Sequence, residues 1–255
     1  MKVGILAGGQ GTRLAEETES RPKPMVDIGG RPILWHIMKH FARYGHREFA
    51  VALGYKGEMI KRFFVDYMSL EGSMRVSLAD GAATAYERDC EDWTVDLIDT
   101  GAGTNTGGRV LGLRPWLDGA TFMLTYGDGV SNIDLDALVA FHRSHGRLAT
   151  VSAVRPPSRF GAISFDDSGA VCFTEKPQMG EGWINGGFMV LEPGVFDFLE
   201  GDDTSLEGEA LERLSAEGQL MAYRHDDFWQ CVDTMRDLRF LRSLMETSKA
   251  PWVTW

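Results

Sequence analysis

Cysteine is scarce in this chain of 255 residues: Cys90, Cys172 and Cys231 stand far apart. Three scattered thiols make neither a metal-ligand spacing nor an even-numbered disulfide framework. The compartment rule reads them as reduced packing residues of a cytoplasmic protein. Long apolar runs are missing too. No stretch approaches the roughly 18 residues of a spanning helix, and the apolar opening Val3-Gly4-Ile5-Leu6-Ala7 runs into glycine before it could serve as a signal h-region. Positive charge is in deficit, with 26 Lys+Arg against 37 Asp+Glu and a formal net charge of −11. That balance argues against a nucleic-acid binder, which needs a basic footprint, and against attachment to an anionic membrane. Small anionic substrates stay admissible, because a few placed cations reverse the local field. No internal repeat, low-complexity tract or Pro/Ser-rich linker divides the chain, so 1–255 reads as a single domain.

What is present is ordinary apolar content, 44%, and many glycines, 30 of them, against a usual share of roughly 7%. They fall in short clusters without a period, which excludes collagen and suits tight turns and phosphate-cradling loops. Strand-like and helix-like stretches alternate. Lys2–Ala7 reads as a buried strand. Pro32 opens a helix whose Ile33, Leu34, Ile37, Met38 and Phe41 share a face and which Gly45 ends. Strand 48–53, helix 56–68, strand 121–126, helix 135–145 and strand 149–154 follow. Strand 93–98 precedes an irregular loop, 100–109. A final helix, 234–245, carries Leu238, Leu241 and Met245 on one face, with Asp233 just before it. Such alternation implies an α/β fold with a mostly parallel sheet flanked by helices. The short strands between 159 and 191 add a smaller antiparallel β subregion.

The strongest local signal is Leu6-Ala7-Gly8-Gly9-Gln10-Gly11-Thr12-Arg13-Leu14. A strand running into glycines brings backbone N–H groups close to a ligand, and successive N–H groups form an anion nest. A dinucleotide fingerprint fails because Leu14 stands where its third glycine belongs, and a P-loop fails for want of a closing Gly-Lys-Ser/Thr. Just downstream, Arg21-Pro22-Lys23-Pro24 places a lysine between two prolines, which favour extended backbone and fix where its ammonium points. Asp128 follows an apolar strand between Gly127 and Gly129, at the strand end where open α/β sheets bind ligands. Asp233 could simply cap the last helix. His36 and His40, four apart on one helix, lack a third metal ligand and read as helix surface.

The string LAGGQGTRL followed by RPKPMVDIGG resembles the sugar-1-phosphate nucleotidyltransferases, whose signature is a G-G-x-G-T-R-L loop followed by K-P. Later stretches extend the likeness toward a cytidylyltransferase subgroup. They include Gly54-Tyr55-Lys56-Gly57, the loop from Asp99-Thr100-Gly101 to Gly107-Gly108-Arg109, Thr125-Tyr126-Gly127-Asp128-Gly129, Glu175-Lys176-Pro177, Trp183-Ile184-Asn185-Gly186-Gly187 and Phe228-Trp229-Gln230. The resemblance implies a single nucleotidyltransferase domain of Rossmann-like fold. It implies CTP and glucose 1-phosphate as substrates, giving CDP-glucose and pyrophosphate, with Mg²⁺ as cofactor. Arg13, Lys23 and Asp128 would be catalytic. Leu6, Ala7, Gly8, Gly9, Gln10, Gly11, Thr12, Arg13, Lys23, Thr104 and Arg109 would bind the nucleotide. Glu175, Lys176 and Asn185 would bind the sugar phosphate, and Asp128 and Asp233 the metal. No general base is needed, since the attacking phosphate oxygen is already ionised near neutral pH.

Two stretches depart from the pattern. Cys231-Val232 stands where Pro-Met is expected, and Leu206-Glu207-Gly208-Glu209-Ala210 replaces a Trp-Glu-x-Glu-Pro-like segment. The second leaves the choice of hexose open, and UTP or dTTP in place of CTP is open as well. A non-catalytic regulatory relative would be expected to have lost a metal carboxylate or phosphate lysine, whereas all are present here. Members of the family are oligomeric, often hexameric, and the aromatic tail with Trp252 and Trp255 suggests docking on another chain. A homo-oligomer is the expectation.

Overall fold

The computed structural model describes residues 1–86, 90–156 and 182–255 in full, and the backbone of Ala162–Phe165 and Val171–Thr174. Seven strands form the central sheet: β1 (Val3–Leu6), β2 (Glu48–Leu53), β3 (Thr94–Asp99), β4 (Phe122–Tyr126), β5 (Ala149–Val154), β6 (Ile184–Leu191) and β7 (Leu220–His225). Their order is β7-β5-β6-β4-β1-β2-β3. All neighbours run parallel except β6, which is antiparallel to both β4 and β5. Five main helices pack on it: α1 (Ile33–Arg43), α2 (Gly57–Leu70), α3 (Thr106–Gly112), α4 (Leu135–His145) and α5 (Met235–Glu246).

The sheet is covered on both faces, so its inner strands are buried along most of their length and mostly apolar, and the period of two sorts residues between two cores. In β2, Phe49, Val51 and Leu53 join the core under α1, α4 and α5, while Ala50 and Ala52 face the core under α3. Small residues on the second face let that helix approach closely. Gly4 in β1 belongs to the same face, and a Cβ there would come within 2.9 Å of Leu124 and 3.0 Å of Leu117. The α1 stripe behaves as its spacing implies: Ile33, Leu34, Ile37, Met38 and Phe41 are all buried.

Several expectations need correction. The 100–109 stretch is not a loop to its end, because Asn105 caps α3 by accepting from the Thr106 N–H at 2.8 Å. Lys23 opens a 3₁₀ turn, Lys23–Met25, after an extended Pro22, so only one side of the lysine is extended. His36 and His40 are not helix surface. They are 1% and 3% exposed, since Trp252 covers His36 and Phe188 packs edge-on against His40. Trp252 itself is 1% exposed, stacks on Phe228 at 5.5 Å and donates to His36 Nδ1 at 3.3 Å. Trp255 packs edge-on against Trp35 at 6.0 Å. The aromatic tail therefore docks on its own chain, and it gives no reason to expect a partner. No helix among the described residues is long and apolar enough to cross a membrane.

Candidate active site

Beside β1 the strand order turns back: β2 and β3 lie on one side, β4 on the other. A crevice opens at the carboxyl ends of β1 and β4, the place where open α/β sheets receive ligands. The glycine loop enters it from β1. Gly11 has φ of 65° and closes the loop, with its carbonyl taken by the Leu14 N–H at 2.9 Å and the Thr18 hydroxyl at 3.1 Å. The cavity measures about 600 Å³. Leu6, Ala7, Gly8, Gly9, Gln10, Gly11, Thr12, Arg13, Lys23, Thr104, Arg109, Asp128 and Asp233 all line it, as does Tyr126. Thirteen of the residues singled out from sequence thus meet in one place.

Asp128 arrives from β4 and Asp233 from just before α5, and a short antiparallel ribbon sets them side by side. Gly129–Ser131 pairs with Trp229–Cys231, and the Val232 N–H donates to the Asp128 carbonyl at 2.9 Å. Asp233 is not the helix cap. That task falls to Thr234, which forms a capping box with Asp237, so the Asp233 carboxylate is left to face the cavity. Lys23 Nζ bridges the two carboxylates, donating to Asp128 Oδ2 and Asp233 Oδ1 at 2.7 Å each. Arg13 Nη1 reaches Asp233 Oδ2 at 2.9 Å. Burial alone would lower the Lys23 pKa, but the two carboxylates overcome it and leave it raised. For Asp233 burial pushes upward, and Lys23 with Arg13 more than reverses that. Burial, with both aspartates adding, pushes the Cys231 thiol up to about 12, so it stands beside the cluster as a neutral donor to Asp233.

Two carboxylates converging on one cation make a donor set of the kind a hard divalent ion accepts. Among the described residues no group of three or more His, Cys, Asp or Glu could hold a metal alone. A metal here would need oxygens from a ligand to complete its shell, as magnesium at phosphate sites commonly does.

Arg109 sits in α3 and is only 4% exposed. Its Nη1 donates to Leu53 O at 3.0 Å, Thr100 Oγ1 at 2.8 Å and Gly101 O at 2.9 Å, and its Nη2 to Gly8 O at 3.1 Å. Burial lowers its pKa, with Asp99 opposing. The guanidinium ties the 100–102 loop to the glycine loop and fills space that two glycines vacate. A Cβ on Gly8 would lie 2.1 Å from Nη1, and one on Gly54 2.5 Å from it. Thr104 donates to the Thr100 carbonyl on the same loop.

Asn185 in β6 is not among the residues lining the cavity; it accepts from the Gly187 N–H at 2.9 Å, and Gly187 packs against the ring of Tyr126, which does line it. Glu175 and Lys176 lie outside the described residues. Tyr126 and Glu207 were not singled out from sequence, yet the Tyr126 hydroxyl donates to Glu207 Oε1. Glu207 had one signal, its place in the segment that departs from the family pattern.

A family model described as nucleotidyl transferase matches residues 2–247. Over 256 aligned residues, all of both chains, the sequence is 45% identical to glucose-1-phosphate cytidylyltransferase of Salmonella typhi. It is 42% identical, again over the whole of both, to a probable glucose-1-phosphate cytidylyltransferase of Bacillus subtilis. Among solved structures, HddC from Yersinia pseudotuberculosis complexed with GMP-PN superposes with a TM-score of 0.70 at 24% identity, covering 95% of this chain and 98% of that one.

Proposed function

Because the chain belongs to the nucleotidyl transferase family, we infer that it joins CTP to glucose 1-phosphate, giving CDP-glucose and pyrophosphate. The observation that carries the reading is Lys23 held between Asp128 and Asp233 at the mouth of the glycine loop. In the reaction a phosphate oxygen of the sugar attacks the α-phosphorus of CTP in line. A new P–O bond forms, the α–β bridging P–O bond breaks, and pyrophosphate leaves with the electron pair. No proton needs to be removed, so the protein's work is positioning and charge neutralisation between two anions.

The Gly8–Thr12 backbone would supply N–H groups to the triphosphate, with Arg13 over its outer phosphates. Lys23 would neutralise charge on the α-phosphoryl group, exchanging its carboxylate partners for phosphate oxygens. Thr104 belongs to the wall that receives the base. Arg109 serves the nucleotide by holding that wall against Gly8. Asp128 and Asp233 would hold Mg²⁺, which when bound screens the phosphate oxygens and stabilises charge on the leaving group. Glu175, Lys176 and Asn185 are proposed to take the sugar phosphate. A CTP-consuming reaction fits the cytoplasm. A homo-oligomer is supported by apolar side chains left exposed on α2 and beyond it, among them Val65, Leu70 and Leu78; a monomer by light scattering would overturn that part.

The test of the activity is pyrophosphate release across a matrix of CTP, UTP, dTTP and GTP with several hexose 1-phosphates and Mg²⁺. Turnover is expected with CTP and glucose 1-phosphate. Its absence with CTP and every sugar would overturn the reading.

A further inference from the structure

A chain of hydrogen bonds crosses the crevice and is not used by the reading above. Glu207 lies in Leu206–Leu211, a turn of π-helix capped by Ser205; such wide turns are rare and concentrate at functional sites. Its two carboxylate oxygens face opposite sides. Oε2 accepts from Thr106 Oγ1 at 2.6 Å, at the start of α3, and that hydroxyl in turn accepts from the Leu206 N–H at 2.9 Å. Oε1 accepts from the Tyr126 hydroxyl, two residues before Asp128. Thr106 and Tyr126 both line the cavity.

The Tyr126 ring is locked in place. It lies so close to Gly187 that a Cβ there would stand 2.5 Å from Cδ2, and Gly187 holds φ of 82°, a conformation glycine adopts freely. The direction of the protons is then fixed along the chain. An ionised carboxylate can only accept, so the single Tyr126 proton is committed to Glu207 and its oxygen is left to accept. Asn185 is held beside the same ring, because its Oδ1 accepts from the Gly187 N–H at 2.9 Å and Gly187 lies against Tyr126. With the Tyr126 proton committed, the amide N–H is the group of Asn185 from which that hydroxyl can accept. Asn185 thereby keeps one N–H and one lone pair in defined directions. Discrimination between sugars that differ in one hydroxyl depends on such fixed donors and acceptors, because a mismatched hydroxyl orphans a polar group.

We propose that Glu207 is a positioning residue for sugar recognition: through the Tyr126 hydroxyl it sets the orientation of Asn185, and with it the preference among hexose 1-phosphates. The proposal rests on the reading that Asn185 faces the sugar.

The test measures kcat and KM of the full chain with CTP and glucose 1-phosphate, then with galactose 1-phosphate and mannose 1-phosphate. Variants are Tyr126→Phe, which keeps the locked ring, Glu207→Ala, and Glu207→Gln, whose carbonyl can still accept from Tyr126. Tyr126→Phe and Glu207→Ala are each expected to raise KM for glucose 1-phosphate about tenfold, the loss of roughly one hydrogen bond. Both should narrow the kcat/KM ratio between glucose 1-phosphate and its epimers by a similar factor, with KM for CTP little changed. Glu207→Gln should recover most of the preference. Unchanged epimer preference in Tyr126→Phe would overturn the proposal, as would a CTP KM rising in step with that of the sugar, or a Glu207→Gln as impaired as Glu207→Ala. A wild-type protein that does not turn over glucose 1-phosphate would instead overturn the parent reading, and this one with it.

Discussion

Lys23→Met removes the ammonium from between Asp128 and Asp233 while keeping most of the side-chain volume. Each contact spans 2.7 Å, so at an effective dielectric constant of about 20 each represents gross attraction of about 6 kcal/mol, from which the cost of drying the ammonium is subtracted. Two contacts of 2.7 Å to one nitrogen place the carboxylate oxygens no more than 5.4 Å apart. Without the lysine their mutual repulsion is then at least about 3 kcal/mol on the same scale. A divalent cation relieves that repulsion, and in the variant it no longer competes with a tethered one. Free Lys23→Met protein is therefore expected to bind Mg²⁺ up to about a hundredfold more tightly than wild type, read by calorimetry or by the metal-dependent rise in Tm. Turnover moves the opposite way, with kcat falling by about 10²–10³ as one donor to developing charge is lost. Equal Mg²⁺ affinity in the two proteins would show that lysine and metal do not share the site. A kcat within threefold of wild type would remove Lys23 from the chemistry.

Three further outcomes are expected. Arg109→Met removes the donor to the Gly101 carbonyl and one of the donors to the Gly8 and Leu53 carbonyls, which keep the Tyr55 N–H and Thr100; it should cost about 2–3 kcal/mol and lower Tm by about 4–12 °C, and Arg109→Lys, with fewer and differently directed donors, should recover only part. Trp252→Ala opens a large void beside His36 and should cost about 3–5 kcal/mol, read as a lower urea midpoint; an unchanged midpoint would mean that the tail does not seal the core. Burial lowers His40 and His46 to about 4 in the fold, so between that value and the unfolded one of roughly 6.5 the unfolded chain binds more protons. Stability should accordingly fall as pH drops through that window, by up to about 2.7 kcal/mol per pH unit for the pair; urea unfolding that is flat between pH 7 and 5 would refute it.

The sequence disclosed what is written in short range. The loop 6–14 and the α1 stripe are local patterns, and both fold as their spacing implies. Asp233 meets Lys23 across 210 positions, and only the family likeness linked them beforehand. The start of α3 is hidden from the sequence because Gly107 and Gly108 are poor helix formers. Yet nothing larger fits there, since a Cβ on either would come within 2.7 Å of the carbonyl of Thr204 or Asp202. His36 and His40 read as surface because their cover comes from Trp252 and Phe188, both far along the chain. Glu207 gave no local pattern, for its meaning lies in Thr106 and Tyr126, each 80 or more positions away.

Trp252 closes over a helix made 216 positions earlier, and that has a consequence for synthesis. A chain emerging from the ribosome can form β1, α1 and β2 early, but the His36 side of α1 has no cover until the segment around Trp252 has cleared the exit tunnel. Through most of translation that apolar flank is open to water and to chaperones. Nascent chains stalled before residue 252 should consequently be captured by holdases more readily than chains in which the tryptophan has emerged, and the segment around Trp252 acts as the latch on α1.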